Sequence, residues 1–209
     1  MIVVKNLTKS YGNNCVLNNV SVTFSPGLIY GLIGPNGCGK TTLMRCICGF
    51  ARPTAGTVTI MNQVISKDCD FAPSTGIILE TPGFLDNLSG YKNLLLLSGI
   101  SNKTNKNRIE EALRLVGLNP FDKKPVGKYS LGMRQRLGIA QAIMENPEVL
   151  ILDEPFNGLD TQGQAEIHKL LQLQKQEGKI IILASHSASD IARACDVVFE
   201  IRQGALYKA

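Results

Sequence analysis

The sequence predicts an α/β fold: a doubly wound parallel sheet, preceded by an antiparallel β part and carrying an inserted α-helical subdomain. Three observations lead there. Leu28–Ile33, Val149–Leu152 and Ile180–Ala184 are continuous apolar runs. Such runs suit strands of a parallel sheet covered on both faces. Helix-like stripes closed by glycine follow the first two runs, which makes βα units. From about Leu85 to Asn146 the chain instead reads as mostly helical. The expected organisation is one domain over 1–209. It comprises an antiparallel part at about 1–27, core segments at 28–84 and 147–209, and the helical subdomain at 85–146.

Residues 1–26 alternate weakly (Val20, Val22, Phe24) and read as short strands, with turns at Gly12-Asn13-Asn14 and Pro26-Gly27. After Leu28–Ile33 and Gly34, a helix is expected with Leu43, Cys46, Ile47 and Phe50 on one face. Gly49 and Pro53-Thr54-Ala55-Gly56 stop it. In the inserted subdomain Ile109, Ala112, Leu113 and Val116 form a helical stripe, supported by Glu110 four residues before Arg114 and ended by Gly117. Between the last two apolar runs, Ile167, Leu170 and Leu171 mark a helix closed by Gly178.

The 209 residues are 44% hydrophobic and 19% charged, with mean hydropathy +0.06, which is globular and not disordered. The formal charge is +5, without a block of five like charges, so no nucleic-acid partner is expected. No apolar run approaches the roughly 20 residues of a spanning helix. The N-terminus carries no secretory signal pattern. Six cysteines are scattered, and Cys46-Ile47-Cys48 lacks zinc-knuckle spacing, so they read as buried reduced thiols of a cytosolic protein.

The chemistry concentrates in three places. Gly34-Pro35-Asn36-Gly37-Cys38-Gly39-Lys40-Thr41 fits G-x-x-x-x-G-K-[ST] between an expected strand and helix. Its glycines let successive N–H groups face phosphate oxygens, and the helix start adds its positive dipole end. Lys40 is expected to reach the β/γ-phosphates, and Thr41 to offer its hydroxyl to Mg²⁺. Val149–Leu152 then ends in Asp153-Glu154. A strand of this kind beside the phosphate-loop strand puts Asp153 near the metal, and Glu154 can polarise an attacking water. Ser185-His186 ends a third core strand, where sites of such sheets gather, and His186 is read as a γ-phosphate contact. His168, mid-helix among polar neighbours, is read as solvated.

In this order the motifs resemble an ATP-binding subunit of an ABC transporter over essentially the whole chain. Tyr11 resembles the family's adenine-stacking aromatic, and Gly34 to Thr42 its Walker A, including Thr42. Tyr129-Ser130-Leu131-Gly132-Met133-Arg134-Gln135 stands in place of the family signature, LSGGQ. Asp153 and Glu154 resemble Walker B and the catalytic glutamate, Asn157-Gly158-Leu159-Asp160 the D-loop, and His186 the switch histidine. The resemblance implies the ABC ATPase fold, ATP and Mg²⁺ as cofactors, and two ATP sandwiched in a head-to-tail dimer. Ser130 and Gly132 would act in trans on the second ATP-binding subunit, with a homodimer expected and a different ATPase partner left open. It also implies separate transmembrane permease subunits and a peripheral place at the cytoplasmic membrane face.

Two departures bear on the substrate. The signature reads SLGM, which resembles drug, bacitracin and lantibiotic exporters, and Glu80 stands where the family carries the Q-loop glutamine, as in similar lantibiotic-immunity and bacitracin-type subunits. Glu80 can still ligate Mg²⁺ but lacks an amide donor. By resemblance part of the apolar set Phe84, Leu85, Leu88 and Tyr91 is an expected permease surface, the alternative for each being the core of the helical subdomain. The chain ends at Ala209, whereas bacitracin-type subunits are expected to extend further. Other ABC ATPases fit less well. Only 90 positions separate Lys40 from Ser130, too few for the coiled coil of chromosome-type members, and translation-type members carry two cassettes. An iron–sulfur assembly subunit stays open. A non-hydrolysing module would not need Glu154 and His186, and a P-loop kinase or GTPase would not need Tyr129–Gln135.

Overall fold

The structure is a computed structural model, which describes residues 1–80, 83–101 and 104–209. Its first sheet is antiparallel, in the order β2-β1-β4-β5, with β1 at Ile2–Tyr11, β2 at Asn14–Phe24, β4 at Ala55–Ile60 and β5 at Gln63–Val64. β1 and β2 are longer than the short strands expected. Register shifts at Val4/Leu7 and Leu7/Lys9 break the period-2 pattern without ending the pairing, so the sequence alternates only weakly. Nor is this sheet confined to residues 1–27. Val58 and Ile60 of β4 stand opposite Val4 and Ile2 of β1 and share their buried face, which draws β4 and β5 out of the expected core segment.

The second sheet has the order β10-β9-β3-β8-β7-β6. Here β3 is Leu28–Ile33, β6 Thr75–Ile78, β7 Val149–Asp153, β8 Ile180–Ala184, β9 Val197–Arg202 and β10 Ala205–Lys208. All neighbours are parallel except the β9–β10 hairpin. The three apolar runs are three adjacent interior strands of this sheet, and two cores explain them. Val149 and Ile151 with Ile180, Ile182 and Ala184 pack toward the first sheet and α1 (Lys40–Cys48). The alternate residues Leu150, Leu152, Ile181 and Leu183 pack toward the helices on the other face. With both faces buried, no polar position is left to break the run.

That second face is covered by α2 (Gly90–Ser101), α3 (Lys106–Leu115), α4 (Leu131–Ile143), α5 (Thr161–Gln176) and α6 (Ala188–Ala194). The α3 stripe is buried as expected, and Asn105 caps the helix by accepting from the Arg108 N–H at 3.1 Å. The Glu110–Arg114 pair forms at 2.8 Å. Among the described residues no helix is long and apolar enough to cross a membrane.

Three expectations are corrected. Phe50 does not belong to the α1 stripe. Gly49, at φ 88°, ends the helix, and Phe50 is 55% exposed with its ring edge-on to Phe71 at 5.7 Å. The cysteines are not uniformly buried: Cys15 is exposed and Cys38, Cys69 and Cys195 are half-buried. Burial pushes the Cys46 thiol up to about 11 and that of Cys48 up to about 12. His168 is not solvated. It is buried under Phe156, stacked at 4.3 Å, and neither ring nitrogen has a hydrogen-bond partner among the described residues.

Burial, reinforced by the Arg193 charge, lowers the His168 pKa from 6.5. The unfolded chain therefore binds this proton first. The neutral ring's full contribution is present above pH 6.5, and it declines as pH falls from 6.5 toward the lower folded value. We expect His168→Leu to remove this part of the acid sensitivity. It should also stabilise the chain by about 1 kcal/mol at neutral pH, since no polar nitrogen is left unpaired. Urea midpoints of both proteins from pH 7.5 to 5 check this.

Candidate functional site

The loop between β3 and α1 turns on glycines: Gly34, Gly37 and Gly39 sit at φ 143°, 78° and 114°. Gly39 is the N-cap of α1. Its conformation is left-handed, and a Cβ there would lie 2.8 Å from Leu17 and 3.2 Å from the Val16 carbonyl. The cap supplies no side-chain acceptor and the first turn has no acid, so the amides of that turn remain available to an anion. The buried Lys40 bends back over the loop, its Nζ donating to the Gly34 carbonyl at 2.7 Å and the Pro35 carbonyl at 3.2 Å.

Thr41 Oγ1 donates to Asp153 Oδ2 at 2.6 Å, which joins α1 to the end of β7. β7 was expected beside β3, but β8 lies between them. The first turn of α1 closes that distance. Burial raises the Asp153 pKa, and the neighbouring carboxylates of Glu154 and Glu80 raise it further, while Thr41 and Lys40 oppose them. A corner with this excess of negative charge and hard oxygen donors fits a divalent cation that keeps most of its ligands from phosphate and water. Among the described residues no group of three or more His, Cys, Asp or Glu forms a complete protein cage.

Glu154 directly follows and adopts φ 50°, a strained conformation for a residue with a Cβ. The end of β8 holds it there. Its N–H donates to the Ala184 carbonyl at 2.8 Å. Its Oε1 accepts from the His186 backbone N–H at 2.8 Å and lies 2.9 Å from His186 Nδ1, and its Oε2 accepts from Ser185 Oγ at 3.2 Å. Gln135 of α4 donates from Nε2 to the Glu154 carbonyl at 3.1 Å. The acid is thus gripped at carboxylate and backbone from two elements.

A cleft of about 380 Å³ brings together Asn36, Gly37, Gly39, Lys40, Thr41, Thr42, Glu80, Asp153 and Glu154. Leu131, Arg134, Gln135 and Asn157 complete its lining. The other expected residues stand outside that lining. Gly34 and Cys38 form the underside of the loop, where a Cβ on Gly34 would meet Cys38 Sγ at 2.7 Å. Ser130 caps α4, its Oγ accepting from the Met133 N–H at 3.2 Å, and Asp160 caps α5 by accepting from Gly163 at 2.8 Å. Gly132 backs onto the Gly158 carbonyl, 2.7 Å from where its Cβ would be. Tyr11 ends β1, exposed, with Lys9 Nζ 4.5 Å from its ring centre. Glu80 does line the cleft, but its carboxylate is paired with Arg45. The supporting roles of Gln135, Ser185 and Arg45 escaped the sequence reading because each depends on a partner 19 to 35 residues away.

The expected permease set divides. Phe84 and Tyr91 pack half-buried on the core, Leu88 is half-buried, and Leu85 is exposed. A groove of about 780 Å³ lies next to the cleft, lined in part by Phe50, Ile77, Leu79, Leu97 and Ile100.

Comparison with known proteins agrees with this arrangement. The profile of the family described as ABC transporter matches residues 17–157. The uncharacterized ABC transporter ATP-binding protein YybJ of Bacillus subtilis is 44% identical over 206 residues, covering 99% of this chain and 94% of that protein. The bacitracin transport ATP-binding protein BcrA of Enterococcus faecalis is 44% identical over 208 residues, covering 99% of this chain and 68% of that protein. A solved ATP-binding subunit of an ABC transporter superposes with a TM-score of 0.90 at 27% identity, over all of this chain and 89% of that one. With the family profile matching two thirds of its length and relatives 44% identical over nearly all of it, the chain belongs to the ABC transporter family, as one of its ATP-binding ATPase subunits.

Proposed function

We propose that this ABC ATPase subunit closes as a dimer around two ATP and powers export of a peptide antibiotic, drug or similar compound. Glu154 is the observation that carries the hydrolytic part, held by His186 and Ser185 one residue beyond the Thr41–Asp153 pair. In this reading the loop amides and Lys40 bind phosphates, and Tyr11 stacks on adenine. Thr41, Asp153 and Glu80 would hold Mg²⁺, which would supply positive charge to offset that of the phosphates. Glu154 orients the water and accepts its proton as oxygen attacks the γ-phosphorus and the bond to the bridging oxygen breaks. His186 contacts the γ-phosphate. Ser130, Gly132 and Asp160 serve the site of the second, identical subunit. The cassette is one domain, with the antiparallel, core and helical parts outlined above.

Similarity to the bacitracin transport protein supports the exporter reading. The partners would be separate permease subunits, with this chain peripheral at the cytoplasmic membrane face. We propose the groove beside the cleft as their docking place, because exposed apolar residues line it: Phe50 at 55% exposure and Ile100 at 82%. We expect Phe50→Ser with Ile100→Ser to bind ATP normally yet to cut co-purification with the permease subunit about ten-fold or more. Unchanged co-purification moves the docking face elsewhere. Bacitracin uptake into inside-out vesicles carrying the complete complex tests the substrate class.

A further inference from the structure

Glu80 has a second partner that nucleotide chemistry alone does not call for. It lies two residues beyond β6 at φ 66°, a left-handed conformation that a residue with a Cβ adopts only when its surroundings hold it. Its Oε1 accepts from Arg45 Nη2 in an ion pair. Arg45 is in the last turn of α1, the same helix whose first turn carries Lys40 and Thr41. Four residues of helix rise by about 6 Å, so a carboxylate drawn to Arg45 is drawn along α1, away from the Thr41 hydroxyl. Glu80 lines the cleft together with Thr41 and Asp153, and it also lines the adjoining groove. Among the described residues it is the one lining residue common to both.

Two cations therefore have a claim on one carboxylate: the Arg45 guanidinium, and a divalent ion at Thr41 and Asp153. The pair is solvent-accessible, with side chains 65% and 41% exposed, so its hold is modest and reversible. A glutamine at this position would carry no charge for Arg45 to hold. The acid at position 80 and the arginine on α1 thus work as a unit. We propose that Arg45 is a positioning residue that competes with the divalent cation for Glu80, so that exchange of Glu80 between the two sets the metal dependence of ATP binding. This rests on the reading of the cleft as a Mg²⁺-ATP site.

The test is equilibrium binding of the fluorescent analogue mant-ATP to the full chain, titrated with Mg²⁺. We expect Arg45→Gln to lower the half-saturating Mg²⁺ concentration roughly three- to ten-fold, as suits the loss of a solvent-accessible competitor. With Glu80→Gln already in place, Arg45→Gln should shift it less than about two-fold. Arg45→Lys keeps the charge but not the fork and should fall between wild type and Arg45→Gln. Equal shifts with and without Glu80→Gln would mean that Arg45 acts on the phosphates or through the general field, and would overturn the proposal. No shift in Arg45→Gln overturns it too. Should Arg45→Gln fail to fold, Arg45→Lys decides, since a midpoint equal to wild type also overturns the idea. Binding of mant-ATP that ignores Mg²⁺ in the wild type would instead bring down the reading of the cleft itself.

Discussion

Glu154→Gln is expected to lower phosphate release by about 10²–10⁴-fold while leaving ATP affinity within about three-fold of wild type. The amide is nearly isosteric. Its oxygen can still accept from the His186 N–H, and its nitrogen can face Ser185 Oγ, so the geometry around the cleft survives. On the proposed reading, what is lost is the basic oxygen that would accept the proton of the attacking water. The phosphate loop, Lys40 and Thr41 are untouched, so binding continues. ATP then stays bound, and light scattering should report twice the 22.7 kDa monomer mass with ATP and Mg²⁺ but the monomer mass with ADP. Residual turnover close to wild type would exclude Glu154 as the base. An inactive variant that binds ATP and stays monomeric would mean that closure needs the permease or a different ATPase partner.

The largest expected stability loss comes from one hydrogen-to-methyl change. Gly76 lies in β6 where α4 crosses it, and a Cβ there would stand 1.9 Å from the Ala142 carbonyl oxygen and 2.9 Å from Leu150 Cδ2. The first contact is with α4 backbone, which cannot swing aside, and the Leu150 methyl is fully buried with little room to turn away. Either α4 moves off the sheet or β6 slips from β7. Gly76→Ala should therefore cost about 3 kcal/mol, read as a fall in the urea midpoint. The effect should extend to the site, because α4 also carries the signature residues and the Gln135 bond to the Glu154 carbonyl. Gly99→Ala is the matched control. Gly99 is exposed in α2 with nothing within 4 Å of a Cβ, so alanine there should stabilise by about 0.5 kcal/mol. If both variants melt alike, the close approach of α4 to β6 is not the constraint it is taken to be.

What could be read from residues alone was what depends on neighbours in the chain or on burial from both sides. β3, β7 and β8 were legible because two cores leave no polar position in their apolar runs. The phosphate loop was legible because three glycines, a lysine and a threonine act within eight residues of backbone. The α3 stripe and its Glu110–Arg114 pair follow from helical period alone. β1 and β2 were blurred because register shifts spoil the alternation that marks a strand. The assignment of β4 and β5 to the first sheet depends on facing Val4 and Ile2, which no local pattern records.

The same division runs through the site. The order of the motifs, and with it the family, the cleft's phosphate loop and the acid pair Asp153-Glu154, can be read without any fold. Tertiary structure alone decided how those acids are held: the His186 and Ser185 grip on Glu154, the Gln135 bond from α4, the Arg45 claim on Glu80, and the burial of His168 under Phe156. The physical reason is range. Backbone conformation and periodicity act over a few residues. Charge pairing and desolvation act between groups that only the packed sheets and helices bring together.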